Sequence, residues 1–315
     1  MTRLYTFTIS HFAEKARWSL DYKGIHYQER RLVPGSHVPI VKRMAHSTFV
    51  PVLQDAGRII QGSSAIIDYV EARSPESPLA PADPSKRQRA LELEQWLDCE
   101  FGERVRRIFY FHALSHRDLI IPLFNQGGPW WGRLFCRVGF RVIANRIRQM
   151  YAITAENVAL DMDRVTAVYE RLDTLLENRR YLVGDRFSRA DLTLAALAAP
   201  TWRPPEHSTY WPPDELYPHE ITAFRARFAN TRTREHVLRM YREHRLPKLD
   251  SAHSDMTCAA PPLAPLAPPT QRAVQRRRHA SCYYGRPQAS VGGAHDTYAA
   301  RVRGCASSRS EPGRL

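Results

Sequence analysis

The feature that most restricts the fold is a proline-rich stretch at residues 74–84, Ser-Pro-Glu-Ser-Pro-Leu-Ala-Pro-Ala-Asp-Pro. Before it, short segments with the alternating apolar pattern of strands are interspersed with amphipathic segments typical of helices. After it, the periodic segments have helical spacing. Because prolines interrupt both kinds of element, the sequence predicts a domain at 1–75, a linker at 76–84 and a domain at 85–248. The expected fold is an α/β sandwich followed by an all-α bundle.

The first domain should follow the order strand, helix, strand, hairpin and helix. The turn residues Asp55-Ala56-Gly57 join the two arms of the hairpin. Pro51 cannot donate a ladder hydrogen bond, so it should lie at an edge or in a special turn. A serine cap, Ser63 or Ser64, should precede the last helix. The expected strands are 4–9, 26–33, 49–53 and 58–60, and the expected helices begin at residues 11 and 65.

The second domain should be a bundle of helices. One of them, 192–199, is almost wholly apolar and should be buried, and Ser188 with Asp191 predicts a capping box in front of it. Another, 131–152, is basic and amphipathic. It is either a helix on a membrane surface or a bundle helix with a solvated face, and we favour the second interpretation. The remaining helices are expected at 85–115, 155–178, 219–229 and 232–244.

The end of the chain differs in composition from the rest. Residues 251–315 hold nine arginines against three acidic residues, a net charge of +6 out of +14 for the whole chain. They are rich in proline and small residues and show no period, so the sequence predicts a disordered basic tail at 249–315. A net positive charge can indicate nucleic-acid binding. No nucleic-acid-binding motif accompanies the charge here, so we do not expect the chain to bind nucleic acid.

Composition also bears on location and metal content. The sequence lacks the run of about 18 apolar residues that a membrane span needs. Its N-terminus lacks the charged start and apolar core of a signal peptide, so we expect a cytoplasmic protein. The five cysteines form no C-x-x-C pair and have no histidine at a zinc-ligand spacing, so no metal site is expected.

A junction near the N-terminus is the first candidate for chemistry. An alternating strand pattern stops at Ser10, and a helical pattern with Phe12, Ala16 and Leu20 on one face begins at once. Serine is a good N-cap residue. The free N–H groups and the positive dipole end of a helix meet at such a cap and favour an anion. Ser10 therefore either only caps its helix or also contacts a bound anion.

Four motifs occur in order along the chain. They are Ser10-His11-Phe12-Ala13-Glu14-Lys15-Ala16-Arg17, Val50-Pro51-Val52-Leu53, Ser63-Ser64-Ala65-Ile66-Ile67-Asp68-Tyr69, and Gly184-Asp185 with Ser188-Arg189-Ala190-Asp191. In this order they resemble the motifs of the cytosolic glutathione S-transferase family. The first is similar to the active-site helix start of its serine- and cysteine-type classes (theta, zeta and omega). The resemblance covers about residues 1–248 and implies a thioredoxin-like domain followed by a helical bundle.

The resemblance implies that glutathione is the co-substrate and that its thiolate attacks a small electrophile. A free thiol with a pKa of about 8.5 is mostly protonated at neutral pH, and only the thiolate attacks. In the family's catalytic position, the Ser10 hydroxyl would stabilise that thiolate. The implied glutathione-binding set is Ser10, Phe12, the backbone of Val50 held by a cis Pro51, Gly62 and Ser63. The second substrate should lie between the domains near Arg107, Phe109 and Tyr110. The resemblance also implies a homodimer, because members of the family commonly form dimers.

Some positions depart from the family pattern. Gly62 stands where an acid or amide would meet the amino end of glutathione, unless Gln61 substitutes for it. Ala13 stands where near relatives often carry a cysteine, so thiol–disulfide chemistry of the omega type is not expected. His11 either tunes the thiolate or is a partly exposed residue without a role, and we favour the second interpretation. Tyr5, a rival to Ser10, should serve packing. Two functions stay open: a glutathione transferase, or a binding or interaction module of the same shape without turnover.

Overall fold

A four-stranded sheet with the order β2-β1-β3-β4 organises the first domain. The computed structural model describes residues 1–245; the predicted tail at 249–315 lies outside them. Strand β1 runs parallel to β2 and antiparallel to β3, which forms an antiparallel hairpin with β4. The strands are β1 (Arg3–Thr6), β2 (Gln28–Arg31), β3 (Val52–Asp55) and β4 (Arg58–Gln61), and the helices of this domain are α1 (His11–Tyr22), α2 (Val38–Lys42) and α3 (Ser63–Arg73).

The second domain consists of helices, as expected. The long helix predicted at 85–115 is interrupted by a π-helical turn, Asp98–Gly102. Helix α6 was not predicted, since Pro122 within it normally ends a helix. The helices are α4 (Pro84–Leu97), α5 (Glu103–Ala113), α6 (Arg117–Asn125), α7 (Gly132–Met150), α8 (Ala155–Leu175), α9 (Arg189–Trp202), α10 (His219–Arg227) and α11 (Arg232–His244), with a 3₁₀ turn at Asp214–Leu216.

Helix α1 lies between the sheet and the helical domain and contributes to the core of both. Leu20 packs with Leu4 and Leu53 of the sheet. Trp18 belongs instead to the core of the helical domain, where its ring lies 4.5 Å from that of Tyr241. Its indole Nε1 also donates to the carbonyl of His244 at 3.0 Å. Because one helix belongs to both cores, its first turn is fixed relative to both domains.

Helix α9 is the buried helix that the sequence predicted. All its residues from Arg189 to Trp202 are buried. Ser188 and Asp191 form the expected capping box, in which the Asp191 carboxylate accepts from the Ser188 backbone N–H at 3.1 Å. Since this cap satisfies helix-end groups without water, α9 can begin inside the core.

Among the boundaries that differ from the predictions, two lie beside the serines of the predicted site. Strand β1 ends at Thr6 rather than Ile9, and residues 7–9 form the turn into α1, closed by a hydrogen bond from Ser10 N to Phe7 O at 3.1 Å. Helix α3 is capped by Gly62, not by Ser63 or Ser64. Gly62 has φ of 99°, a conformation that favours glycine because it has no Cβ.

Candidate functional site

The sheet register brings the predicted site segments to one edge. Residues Tyr5 and Val52 are paired, and Val52 is paired with Gln61. The C-terminal ends of β1 and β4 therefore lie beside the N-terminal end of β3. The turn before α1, the loop before β3 and the start of α3 all adjoin these strand ends, so Ser10, Pro51 and Ser63 belong to the same edge of the sheet.

Ser10 is the N-cap of α1, as predicted. Its Oγ accepts a hydrogen bond from Ala13 N at 3.2 Å, and its side chain is half-buried. The acceptance uses an oxygen lone pair and leaves the hydroxyl hydrogen for another acceptor. A serine in this state can cap its helix and at the same time donate to an anion at the helix start.

The turn that carries Ser10 is held by Arg17, which is buried. Its Nη2 donates to Phe7 O at 3.0 Å and to Thr8 O at 3.3 Å. Its guanidinium also pairs with Glu29 of β2 and with Glu14 of its own helix. One side chain thus ties the backbone immediately before Ser10 to the neighbouring strand.

His11 is buried, contrary to the expectation of partial exposure. Burial, followed by the charges of Arg106 and Lys15, lowers its pKa well below the usual value. The imidazole is therefore neutral at physiological pH and adds no charge to the helix start. The positive charge comes from Arg106, whose guanidinium lies 5.4 Å from the Phe12 ring centroid and 4.0 Å from that of Tyr151.

The Phe12 ring faces the helical domain. A Cβ at Gly102 would come within 3.1 Å of it, so the glycine allows the π turn to approach α1 closely.

Tyr5 does not face this contact: its hydroxyl donates to Gln54 Oε1 at 3.2 Å, and its ring packs on a small apolar cluster of the sheet. The packing role expected for Tyr5 agrees with this placement.

The loop before β3 contains a cis peptide bond between Val50 and Pro51. Pro51 O accepts from Gly62 N at 3.0 Å, which joins this loop to the start of α3. The Gln61 amide is committed to the same loop, because its Nε2 donates to Ser47 O at 3.0 Å and to Phe49 O at 2.7 Å. The Gln61 side chain therefore holds the loop before β3, and its substitution for an acid at position 62 stays a prediction.

Ser63, the first residue of α3, is 0% exposed. Among residues 1–245, no group forms a hydrogen bond with its Oγ. A buried hydroxyl without a partner costs free energy, so such a group calls for an explanation. Its position at a helix start, where backbone N–H groups are also unsatisfied, is the place where a carboxylate binds favourably.

Next to Ser63, Ser64 belongs to a buried ionic network. Lys15 Nζ of α1 lies 3.3 Å from Ser64 Oγ, 2.7 Å from Asp98 Oδ1 and 3.1 Å from Glu94 Oε1. Ser64 Oγ donates to Asp98 Oδ2 at 3.1 Å. The network joins both candidate helix starts to the helical domain. Within residues 1–245, no group of three or more His, Cys, Asp or Glu side chains could hold a metal ion.

Two family models match successive parts of the chain. The model for the glutathione S-transferase N-terminal domain matches residues 4–78, and the model for its C-terminal domain matches residues 136–231. The chain belongs to the glutathione S-transferase family. The fold prediction of a thioredoxin-like domain followed by a helical domain is thereby confirmed. Neither model assigns the chain to a class of the family, so the theta-, zeta- or omega-like character stays a prediction.

Individual relatives share modest identity with this transferase-family chain. Glutathione S-transferase 1 of Dianthus caryophyllus is 36% identical over 88 residues, 27% of this chain and 40% of that protein. FtsZ-localized protein A of Caulobacter vibrioides is 24% identical over 197 residues, 61% of this chain and 74% of that protein. The crystal structure of beta-etherase LigF from Sphingobium sp. strain SYK-6 matches with a TM-score of 0.51 and 22% identity, covering 76% of this chain and 98% of that one. The similarity to this crystal structure is evidence for the fold alone.

The residues predicted for a second substrate all belong to α5. Arg107 donates to Tyr151 O at 2.8 Å and pairs with Asp161, and so ties α5 to the helices after it. Phe109 lines an apolar pocket whose walls come from α5, α9 and α10. Tyr110 stacks on Tyr151 with ring centroids 6.0 Å apart. The Phe109 and Tyr110 rings are neighbours, with centroids 5.9 Å apart. The arginine that faces α1 is Arg106, and the second-substrate assignment stays a prediction.

The buried histidines give the transferase-family fold a predictable response to acid. Burial lowers the pKa of His207 from 6.5 to about 4, against the opposing charge of Glu14. The unfolded chain therefore binds more protons than the folded one in that range, and we expect the free energy of unfolding to fall as the pH drops from 6.5 to about 4. The lowered pKa of His11 also makes the free energy of unfolding fall as the pH drops. Denaturant unfolding at a series of pH values measures the slope, which His207→Gln should flatten and the exposed control His219→Gln should not.

Glu14 extends this loss of stability to lower pH. Burial would raise its pKa, but the charges of Arg245, His207 and Arg17 lower it from 4.5 to about 2. A carboxylate with a lowered pKa stabilises the fold above its unfolded value, and this contribution disappears as the pH falls from 4.5 to about 2. A wild-type free energy of unfolding that stays constant from pH 6.5 to 4 would contradict the histidine assignment.

Proposed function

We propose that this chain is a glutathione-dependent transferase that binds glutathione at the sheet edge formed by the starts of α1 and α3. The observation that carries the proposal is the buried Ser63 hydroxyl, which has no hydrogen-bond partner among the described residues. A carboxylate at the α3 start would accept from this hydroxyl and from first-turn N–H groups. The γ-glutamyl end of glutathione supplies a carboxylate of this kind.

The thiol end of glutathione would meet Ser10 in this orientation. The Ser10 oxygen already accepts from Ala13 N, so the hydroxyl donates to the sulfur. This hydrogen bond, the dipole of α1 and the nearby charge of Arg106 favour the thiolate over the thiol. The thiolate then attacks an electrophilic carbon: a C–S bond forms, the leaving group departs with its electron pair, and the thiol proton goes to solvent.

A glutathione titration combined with a conjugation assay tests this function. The wild-type chain should bind glutathione, unfold at a higher temperature in its presence, and form a thioether with a generic aryl halide. Stabilisation by glutathione without thioether formation would favour the alternative, a binding module of this shape. Gly62 motivates that alternative, because no acid stands at this position to pair with the amino end of glutathione.

Ser63→Ala separates ligand binding from folding. We expect the glutathione Kd to rise by about tenfold or more, since a hydrogen bond to a charged group contributes about 1.5–3 kcal/mol. The free energy of unfolding without ligand should stay the same or increase, because the substitution removes a buried hydroxyl without a partner. Calorimetric titration and denaturant unfolding measure the two quantities.

Ser64→Ala is the matched control for this prediction. Its hydroxyl donates to Asp98 inside the ionic network, so its loss should lower stability and leave the glutathione Kd nearly unchanged. If Ser63→Ala lowered stability and left the Kd unchanged, the carboxylate would bind elsewhere.

A further inference from the structure

Helix α7 exposes apolar side chains where a solvated bundle helix would expose polar ones. The fractional exposure is 66% for Leu134, 82% for Val138 and 75% for Val142. The three residues are spaced by four and therefore form one row along the helix. Trp130, just before the helix, is 91% exposed. The exposed face of α7 therefore carries an apolar row, which the interpretation as a bundle helix with a solvated face did not predict.

A row of arginines adjoins this apolar row. Arg133, Arg137 and Arg141 are exposed, are also spaced by four, and precede the apolar residues by one position each. Arg117 of α6 adds a further exposed cation, because its Nη2 donates to Arg137 O at 2.7 Å. Helix α7 has five arginines and neither Asp nor Glu. The surface formed by Trp130, these two rows and Arg117 is called the α7 surface below.

The opposite side of α7 is fixed to the protein. Cys136, Phe140, Ile143 and Ala144 are buried and belong to one apolar cluster with α6. The apolar residues of the α7 surface are therefore additional to those that hold the helix in place. An exposed apolar row of this kind indicates an interaction site.

We propose that the α7 surface binds a membrane that contains anionic phospholipids, with α7 lying parallel to the membrane plane. A helix in this orientation inserts its apolar row at the boundary between headgroups and acyl chains, and its arginines extend to the lipid phosphates. An exposed tryptophan favours the same boundary, because its ring is apolar and its N–H is polar. Within residues 1–245, none of the helices has the length and apolarity needed to cross a bilayer, so the contact would be peripheral.

The charge of the α7 surface selects this occupant over a second copy of the chain. Two α7 helices packed against each other would bring their arginine rows together without any carboxylate of α7 to pair with them. Like charges brought close together oppose association. An anionic lipid surface offers phosphates that pair with the same arginines, and each arginine near such a surface strengthens binding.

Vesicle co-sedimentation of the full chain tests the proposal. Vesicles of phosphatidylcholine with phosphatidylglycerol should bind the protein, and vesicles of phosphatidylcholine alone should bind it weakly. The triple variant Arg133→Gln, Arg137→Gln, Arg141→Gln should lose about a hundredfold in affinity. A control with the same charge change, Arg179→Gln, Arg186→Gln, Arg242→Gln, alters exposed arginines elsewhere and should lose far less.

The apolar row needs its own variant, because any basic protein binds anionic vesicles to some extent. Val138→Ser with Val142→Ser should lower vesicle binding about tenfold or more at unchanged net charge. Leu160→Ser, an exposed leucine of α8, is the matched control and should bind as the wild type does. Circular dichroism should be unchanged in all these variants, since the substituted side chains are exposed.

Trp130 provides a direct readout of insertion. The fluorescence emission of the wild type should shift to shorter wavelength with anionic vesicles, and Trp130→Phe should lose most of that shift while still sedimenting with them. Vesicle binding that is unchanged in both the arginine and the valine variants would assign the binding to another part of the chain and overturn the proposal. A change of oligomeric state in the valine variant, without a change in vesicle binding, would instead identify the α7 surface as a contact between copies and would also overturn it.

Discussion

Ser10→Ala should slow glutathione conjugation at neutral pH by about 10–100-fold. The Ser10 hydroxyl is the proposed donor to the thiolate, and hydrogen bonds to charged groups contribute about 1.5–3 kcal/mol. Losing this donor should also raise the pKa of bound glutathione, at about 1.4 kcal/mol for each pKa unit. The pH dependence of kcat/KM and the absorbance of the bound thiolate measure the two effects.

Further substitutions at Ser10 separate catalysis from helix capping. Its Oγ caps α1 through Ala13 N, and an alanine at an N-cap costs about 1 kcal/mol of stability. Ser10→Gly should lose the same activity but only a few tenths of a kcal/mol of stability, since glycine is tolerated at this position. Ser10→Thr keeps the hydroxyl and should retain most of the activity. A Ser10→Gly variant with wild-type kcat/KM would show that the serine acts only as a cap.

Arg17→Met should be the most destabilising of the substitutions considered. Arg17 pairs with Glu29 and Glu14 in the interior and also donates to two backbone carbonyls. Removing one partner of a buried ion pair costs about 3–5 kcal/mol, and the lower end of this range applies here because Glu14 keeps Arg245 and Glu29 keeps Arg31. Denaturant unfolding measures this loss, and activity should fall with it, because the turn before Ser10 loses its support.

Arg30 offers the matched control for this substitution. It is an exposed arginine of the neighbouring strand β2, and Arg30→Met should change the free energy of unfolding by less than about 0.5 kcal/mol. If the free energy of unfolding of Arg17→Met lay within about 1 kcal/mol of the wild-type value, the carboxylates would pair with other cations or bind protons at little cost.

Local sequence signals predicted the parts of the fold that depend on neighbouring residues. The cap at Ser10, the box formed by Ser188 with Asp191, and the hairpin of β3 and β4 are all present. Each depends on residues a few positions apart, so hydrogen-bonding type and apolar spacing were enough to identify it. The order of strands and helices was predicted from the same signals, apart from the short helix α2 and helix α6.

The features that were missed depend on contacts between distant segments. The π turn at Asp98–Gly102 adds a residue to the helix and rotates helix α5 by about 100° relative to a continuous α-helix. A helical wheel drawn through the whole segment cannot anticipate that Arg106, and not Arg107, faces α1. Burial of His11 and the partners of Gln61 likewise depend on tertiary packing, which sequence spacing does not report.

The same limit applies to the candidate site. Motifs identified Ser10 and Ser63, but the feature that makes Ser63 informative is an absent partner in the interior, which appears only once the neighbouring backbone is placed. The second-substrate residues had no motif of their own, and their positions depended only on the assumed course of one helix.

The network around Lys15 has a consequence for protein engineering. Its ammonium group comes from α1, while Asp98 and Glu94 come from the other domain, at 2.7 Å and 3.1 Å. If the α/β half were expressed by itself or grafted onto a foreign helical half, this lysine would lose both counter-ions and Asp98 would lose Lys15, while Glu94 would keep Arg189 of its own domain. Recombination of family members at the proline-rich linker should therefore yield well-folded hybrids only when lysine and acids are inherited from one parent.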